Sequence, residues 1–103
     1  MTTRELLVKA RALIEDPDNW TQGMSVKEVQ NAATGEIRKQ YCARGALAEV
    51  RDKSGANDWE PFRKSAMRKL REAIGGRNVV VFNDRYLHRD VLGMFDRGIS
   101  LCE

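Results

Sequence analysis

The feature that most constrains the fold of this chain is the recurrence of apolar residues at helical spacing in separate segments. The first segment carries them on a single face, which comprises Leu6, Leu7, Ala10, Leu13 and Ile14. Thr2 and Glu5 precede this face at the spacing of a capping box, in which hydroxyl and carboxylate satisfy free N–H groups at the helix start. Because proline disfavours helical geometry in the residue before it, Asp16-Pro17 is predicted to end this first helix.

Three further helices are predicted, at about residues 41–52, 58–74 and 88–101. The inward residues of the second are Cys42, Ala43, Ala46, Leu47 and Val50. Most of these are small, so a neighbouring element can approach that face closely. The inward residues are Trp59, Phe62, Ala66, Met67, Leu70 and Ala73 in the third helix, and Val91, Leu92, Phe95 and Ile99 in the last. Pro61 fits the third helix only in its first turn, where the missing N–H does no harm.

Two stretches are predicted to form strands. Residues 24–30 and 36–40 flank the turn signal Thr34-Gly35 and are interpreted as a short hairpin, with a short helix at 25–33 as the alternative. The β-branched run Val-Val-Val-Phe at 79–82 is interpreted as a buried strand.

The third helix is predicted to stop at Gly75-Gly76, and residues 83–85 are predicted to form a turn. The resulting fold class is α+β. We expect about four helices and a small two- or three-stranded antiparallel sheet in a single domain over residues 1–103.

Composition narrows the classes of function. A chain of 103 residues has room for one domain, and its net charge of +3 is too small to identify a nucleic-acid-binding protein by itself. No run of 18 apolar residues is present, and the charged N-terminus does not resemble a signal peptide. Two cysteines without an export signal are typical of reduced thiols, so we expect a cytoplasmic protein that contacts no membrane.

Three stretches carry recognisable motifs: ALIEDPDNWTQG at 12–23, YCARGALAEV at 41–50 and VVVFNDRYLHRDVLGMFDRGI at 79–99. Together they resemble a family of small proteins of unknown function from actinobacteria and their phages. The shared pattern is a Cys-Ala-x-Gly-Ala-Leu helix start and an Asn-Asp pair that leads into a Val-Leu-x-x-Phe-Asp helix.

The chain also departs from that pattern. Leu87 stands where the family tends to place a threonine cap, Gly98 replaces a usual alanine, and residues 53–77 match weakly. The family brings no established activity with it. The resemblance therefore implies a phage or bacterial accessory protein of the cytosol, and it implies no particular biochemical activity.

A catalytic site is one hypothesis. Cys42 at a helix start, His88 as base, and Asp84 or Asp90 as the orienting acid could serve a hydrolase or transferase. The alternative is that Cys42 is a packing residue and His88 a helix-start residue, since free cysteine is among the most buried residue types. Two cysteines and one histidine do not suffice for a structural zinc site, and no phosphate-binding glycine motif is present. We therefore expect no metal and no cofactor.

A basic helix is the second candidate. Segment 62–77 carries six cations and one acid, and Lys64, Arg68 and Arg71 fall on one stripe opposite its apolar face. Such a stripe suits phosphates or an acidic protein surface. The alternative is a solvated face that keeps the domain soluble. A nucleic-acid role is weakened because no aromatic residues alternate with the cations.

A polar cluster is the third candidate. Trp20 lies in a polar segment and could anchor a partner, or it could cover the core edge with its N–H bonded to a loop carbonyl. Asn83 and Asp84 could cap the last helix or close a turn. The functional interpretation joins these three residues with Cys42 and His88 in one pocket.

Taken together, the sequence favours a small binding protein without enzymatic activity. It would engage a host or defence protein through the basic helix and the Trp20 surface, as an anti-defence or anti-CRISPR-like inhibitor does. The alternatives are a Cys-His enzyme and a nucleic-acid-binding accessory protein. The oligomeric state is left open.

Overall fold

The computed structural model describes the backbone of residues 2–55 and 59–102 and the side chains of residues 2–55 and 64–102. Within these ranges the chain forms five α-helices, one two-stranded sheet and one 3-10 turn. The helices are α1 (Thr3–Ile14), α2 (Ala43–Ser54), α3 (Trp59–Ala73), α4 (Val79–Arg85) and α5 (His88–Ser100); the strands are β1 (Val26–Gln30) and β2 (Ile37–Tyr41); the 3-10 turn is Pro17–Asn19. The predicted α+β class is confirmed, with five helices where four were expected.

Helix α1 begins as its capping box predicts. Thr2 Oγ1 accepts from Glu5 N at 3.1 Å, and the hydroxyl donates to Glu5 Oε1 at 3.2 Å. The helix ends at Ile14, and the Asp16 side chain instead caps the following 3-10 turn by accepting from Asp18 N at 2.9 Å. The turn leads the chain away from α1 toward the 20–23 segment.

The core lies where α1, α3 and α5 meet, with α2 packed on α1. Its fully buried members include Leu6, Leu7, Ala10, Ile14, Leu47, Ala66, Leu70, Val91, Met94 and Phe95. The predicted stripes of α1, α2 and α5 therefore face inward; their half-buried members at the margin are Leu13, Val50, Leu92 and Ile99. The predictions for Trp59, Pro61 and Phe62 fall outside the described side chains. No helix in the described ranges is long and apolar enough to cross a bilayer.

The predicted hairpin is confirmed, and the alternative helix at 25–33 is wrong. β1 and β2 pair antiparallel, from Val26 opposite Tyr41 to Gln30 opposite Ile37. Every residue of β1 is exposed, whereas β2 becomes buried at Tyr41. Thr21 N donates to Tyr41 O at 3.0 Å, Gln40 Nε2 donates to Asp18 O at 3.1 Å, and Arg38 pairs with the Asp18 carboxylate, so β2 attaches the hairpin to the body.

The stretch predicted as a buried strand at 79–82 is helical, and the turn predicted at 83–85 belongs to the same helix α4. Asn78 supplies the start of this helix, because its side chain accepts from Val81 N at 3.1 Å. The residues that α4 buries, Val79, Phe82 and Asn83, follow helical spacing. Packing against the core has therefore overridden the β-propensity of three consecutive valines. The predicted stop before it is confirmed, since Gly75 and Gly76 both adopt positive φ.

The small face predicted for the second helix allows a close approach. The start of α2 buries Ala43, Gly45, Ala46 and Leu47. A Cβ atom added to Gly45 would lie 1.9 Å from Ser25 O, in the segment that leads into β1. Glycine is therefore required at position 45 by space, because any side chain would push the hairpin root away from α2.

Candidate functional site

A buried amide lies at the centre of the best-connected polar cluster. Asn83 is fully buried; its Oδ1 accepts from Trp20 Nε1 at 2.8 Å and from Ala43 N at 3.0 Å. Its Nδ2 donates to Thr21 O at 3.0 Å and to Asp84 Oδ1 at 3.2 Å. Both acceptor positions and both donor hydrogens are thus used within the protein.

The same cluster fixes the 20–23 segment onto α4. Gln22 Nε2 donates to Asn83 O at 3.0 Å and to Tyr86 O at 2.9 Å. Gly23 N donates to Asp84 Oδ1 at 2.9 Å. We call the set Trp20, Thr21, Gln22, Gly23, Asn83 and Asp84 the amide network. Its bonds join residues about 60 positions apart in sequence, so it closes the fold across the root of the hairpin.

Neither Asn83 nor Asp84 caps the last helix, so the prediction that they could do so is wrong. Both residues lie inside α4. Leu87 occupies the N-cap position of α5, and the Asp90 side chain accepts from Leu87 N at 3.1 Å. Asp90 therefore has a capping role, which accounts for the carboxylate without a catalytic function.

His88 binds to the end of α1. Its Nε2 lies 2.6 Å from Ile14 O, and because a carbonyl oxygen can only accept, Nε2 carries the proton of this bond. The imidazole also lies beside the indole of Trp20, with the ring centroids 5.4 Å apart. His88 thus borders the amide network and connects it to α1.

Cys42 is buried at the N-cap of α2, where its Sγ accepts from Gly45 N at 3.3 Å. The structure therefore gives Cys42 and His88 separate partners, and no hydrogen bond joins the two in the described part of the chain. Cys42 and Cys102 are both free thiols. The network brings Trp20, Asn83 and Asp84 together as the pocket hypothesis expects, but as a set of mutually satisfied groups.

The second arrangement is a groove between α2, α3 and α4. It has a volume of about 560 Å³ and is lined by Arg44, Lys64, Met67, Arg68, Arg71, Asn78, Val79 and Val80. We call it the basic groove. The three cations predicted from the α3 stripe are exposed and all line it. Arg44, from the first turn of α2, adds a fourth cation on the facing wall.

The four cations of the basic groove, Arg44, Lys64, Arg68 and Arg71, form no ion pair with a carboxylate among the described side chains. Arg71 Nε donates to Gly76 O at 3.2 Å, which directs its guanidinium along the end of α3. The groove therefore presents four exposed cationic side chains along one cavity.

A family model described as a family of unknown function, DUF6197, matches residues 1–101. This chain is a DUF6197 protein. The match covers both arrangements described above and confirms the resemblance to a family of unknown function. Searches of curated proteins and of solved structures gave no significant match.

The DUF6197 fold brings together residues that the sequence could not connect. Arg44 was missed because it lies 20 positions before Lys64. One signal could have found it: α2 has no acidic residue in its first turn, and a cation there is unusual. Among the described residues, no group of three or more His, Cys, Asp or Glu side chains is arranged to hold a metal ion.

Proposed function

We propose that this DUF6197 protein is a binding protein without enzymatic activity that engages an acidic partner protein through the basic groove. The observation that carries this proposal is the convergence on one groove of four exposed cations from two helices, none of them paired with a carboxylate among the described side chains. In the phage or bacterial setting that the sequence resemblance suggests, the partner would be a host or defence component that binding inhibits.

The placement of the cations supports binding more than solubility. Like charges gathered in one concave surface repel each other, and an anionic partner relieves that repulsion. Arg44 also lies beside the positive end of the α2 dipole, where a cation is unfavourable for the free protein. A set of charges that only maintained solubility would gain from dispersal over the surface.

The amide network has a structural role and does not contribute to the proposed binding surface. The Asn83 side chain makes all four of its hydrogen bonds to groups of the protein, and one of these bonds is to the Trp20 N–H. Cys42 caps its own helix by accepting from Gly45 N, and His88 is hydrogen-bonded to Ile14 O at the end of α1. These residues are accounted for by holding the fold together, so the proposal is based on the groove alone.

The test uses heparin as a polyanionic probe and a double charge reversal, Lys64→Glu with Arg68→Glu. We expect the native protein to be retained on heparin at 150 mM NaCl and the double variant to pass through, because two groove cations become repulsive. The matched control is Arg4→Glu with Lys9→Glu, which changes net charge equally on the exposed surface of α1. It should stay largely retained.

Two outcomes contradict the proposal. Equal loss of retention in both double variants would show that net charge alone matters. Unchanged retention in Lys64→Glu/Arg68→Glu would show that the groove binds no anion. Circular dichroism of each variant confirms that it is folded before retention is compared.

A further inference from the structure

We infer that the occupant of the basic groove is an acidic amphipathic helix of a partner protein, an inference that rests on the proposed function. The groove is only partly cationic. Its remaining lining includes the aliphatic side chains of Met67, Val79 and Val80. Met67 and Val80 are half-buried and therefore still offer apolar surface that a partner could cover.

The spacing of the cations indicates a helical partner. Lys64 and Arg71 are separated by seven residues of α3, which corresponds to about 10 Å along the helix axis. Carboxylates at positions i, i+4 and i+7 of a second helix span the same length on one face. A partner of two helical turns can therefore place one carboxylate near each cation of the α3 wall.

The mixed lining also favours a protein over a nucleic acid. A sugar-phosphate backbone would use the cations but would leave the aliphatic floor uncovered. Bases require stacking surfaces, and none of the described lining residues is aromatic. An amphipathic helix would use both parts of the groove, with leucine side chains on the floor between its carboxylates.

The experiment measures fluorescence anisotropy with three labelled probes at 150 mM NaCl. The first is a helical peptide with glutamates at i, i+4 and i+7 and leucines between them. The second has the leucines replaced by serine, and the third is an oligothymidylate of equal charge. We expect the leucine peptide to bind about tenfold more tightly than the serine peptide, as burial of one or two leucines implies.

A variant in the groove floor tests the apolar contact separately. Val80→Thr preserves the shape of the side chain but replaces one methyl group with a hydroxyl. It should weaken the leucine peptide and leave the serine peptide unchanged, since only the former covers the floor. Lys64→Glu with Arg68→Glu should abolish binding of both peptides.

The outcomes separate this inference from the proposed function. Equal binding of the two peptides overturns the amphipathic helix, while a groove-dependent heparin interaction still supports the proposed function. Tighter binding of the oligothymidylate overturns both, because it favours a nucleic-acid partner over an acidic protein. Loss of both the peptide interaction and the groove-dependent heparin interaction overturns the proposed function itself. An unchanged affinity of Val80→Thr for the leucine peptide would show that the leucines do not contact the groove floor, and this result also overturns the amphipathic helix.

Discussion

Replacement of the buried amide tests whether the amide network holds the fold together. In Asn83→Ala, the N–H of Ala43 and the carbonyl of Thr21 lose their partners in a buried setting, and Trp20 Nε1 loses its acceptor. Each unsatisfied buried group costs about 1–3 kcal/mol, and the half-exposed indole can regain a water. We therefore expect the free energy of unfolding to fall by about 3 kcal/mol, a large part of the stability of a small domain.

Urea unfolding followed by circular dichroism at 222 nm measures this loss. Asn78→Ala is the matched control, because Asn78 is the exposed N-cap residue of the same helix and its side chain accepts only from Val81 N. It should cost about 1 kcal/mol. A loss below about 1 kcal/mol for Asn83→Ala, or equal losses for the two variants, would refute the assigned role.

A charged replacement adds a pH dependence. Asn83→Asp keeps the acceptor for Trp20 and Ala43 but places a second oxygen against Thr21 O and Asp84 Oδ1. A buried carboxylate beside two acceptors favours its protonated form, which raises its pKa in the folded state. The variant should therefore be closest to the native protein at low pH and fall behind as pH rises toward 7. A constant difference across pH 4–7 would contradict this.

Three further outcomes are expected. In the same urea assay, Gly45→Ala should lower the free energy of unfolding by about 1–3 kcal/mol, because the added methyl group clashes with the hairpin root. Gly93→Ala is the control: its added methyl group meets nothing within 4 Å, so the free energy of unfolding should rise by up to about 1 kcal/mol. Burial, followed by the nearby Glu49 carboxylate, raises the pKa of Tyr41 above 10.0, so the free energy of unfolding should decline as pH rises past 10. Thermal melts at pH 9 and pH 11 should show a smaller decline in Tyr41→Phe than in the native protein. An aromatic disulfide reagent should label half-buried Cys102 before buried Cys42; faster labelling of Cys42 would revive the nucleophile hypothesis.

The sequence predicts the elements whose signals are local. The capping box and stripe of α1, the glycine stop after α3 and the turn of the hairpin each depend on neighbouring residues, and each is confirmed. Helix α4 was misassigned because three valines favour a strand by propensity, while the decisive factor was burial of one helical face against distant elements.

The candidate sites likewise combine features that local sequence predicts with features that depend on tertiary packing. The α3 stripe of the basic groove could be read from spacing within one helix, but Arg44 on the facing wall depends on how α2 packs. Trp20 and Asn83 were grouped from sequence, yet the bond between indole and amide required the tertiary structure. A lone polar residue in a helix carries no signal that says whether its partners are solvent or backbone.

The exposed hairpin has a practical consequence for work with this chain. Its connecting residues 31–36 lie in solvent, do not line the basic groove and, within the described part of the chain, form hydrogen bonds only to other hairpin residues. Such tips accept inserted sequence with little effect on the interior. An epitope or a single dye attachment position placed there would report on complex formation without altering the residues that line the basic groove.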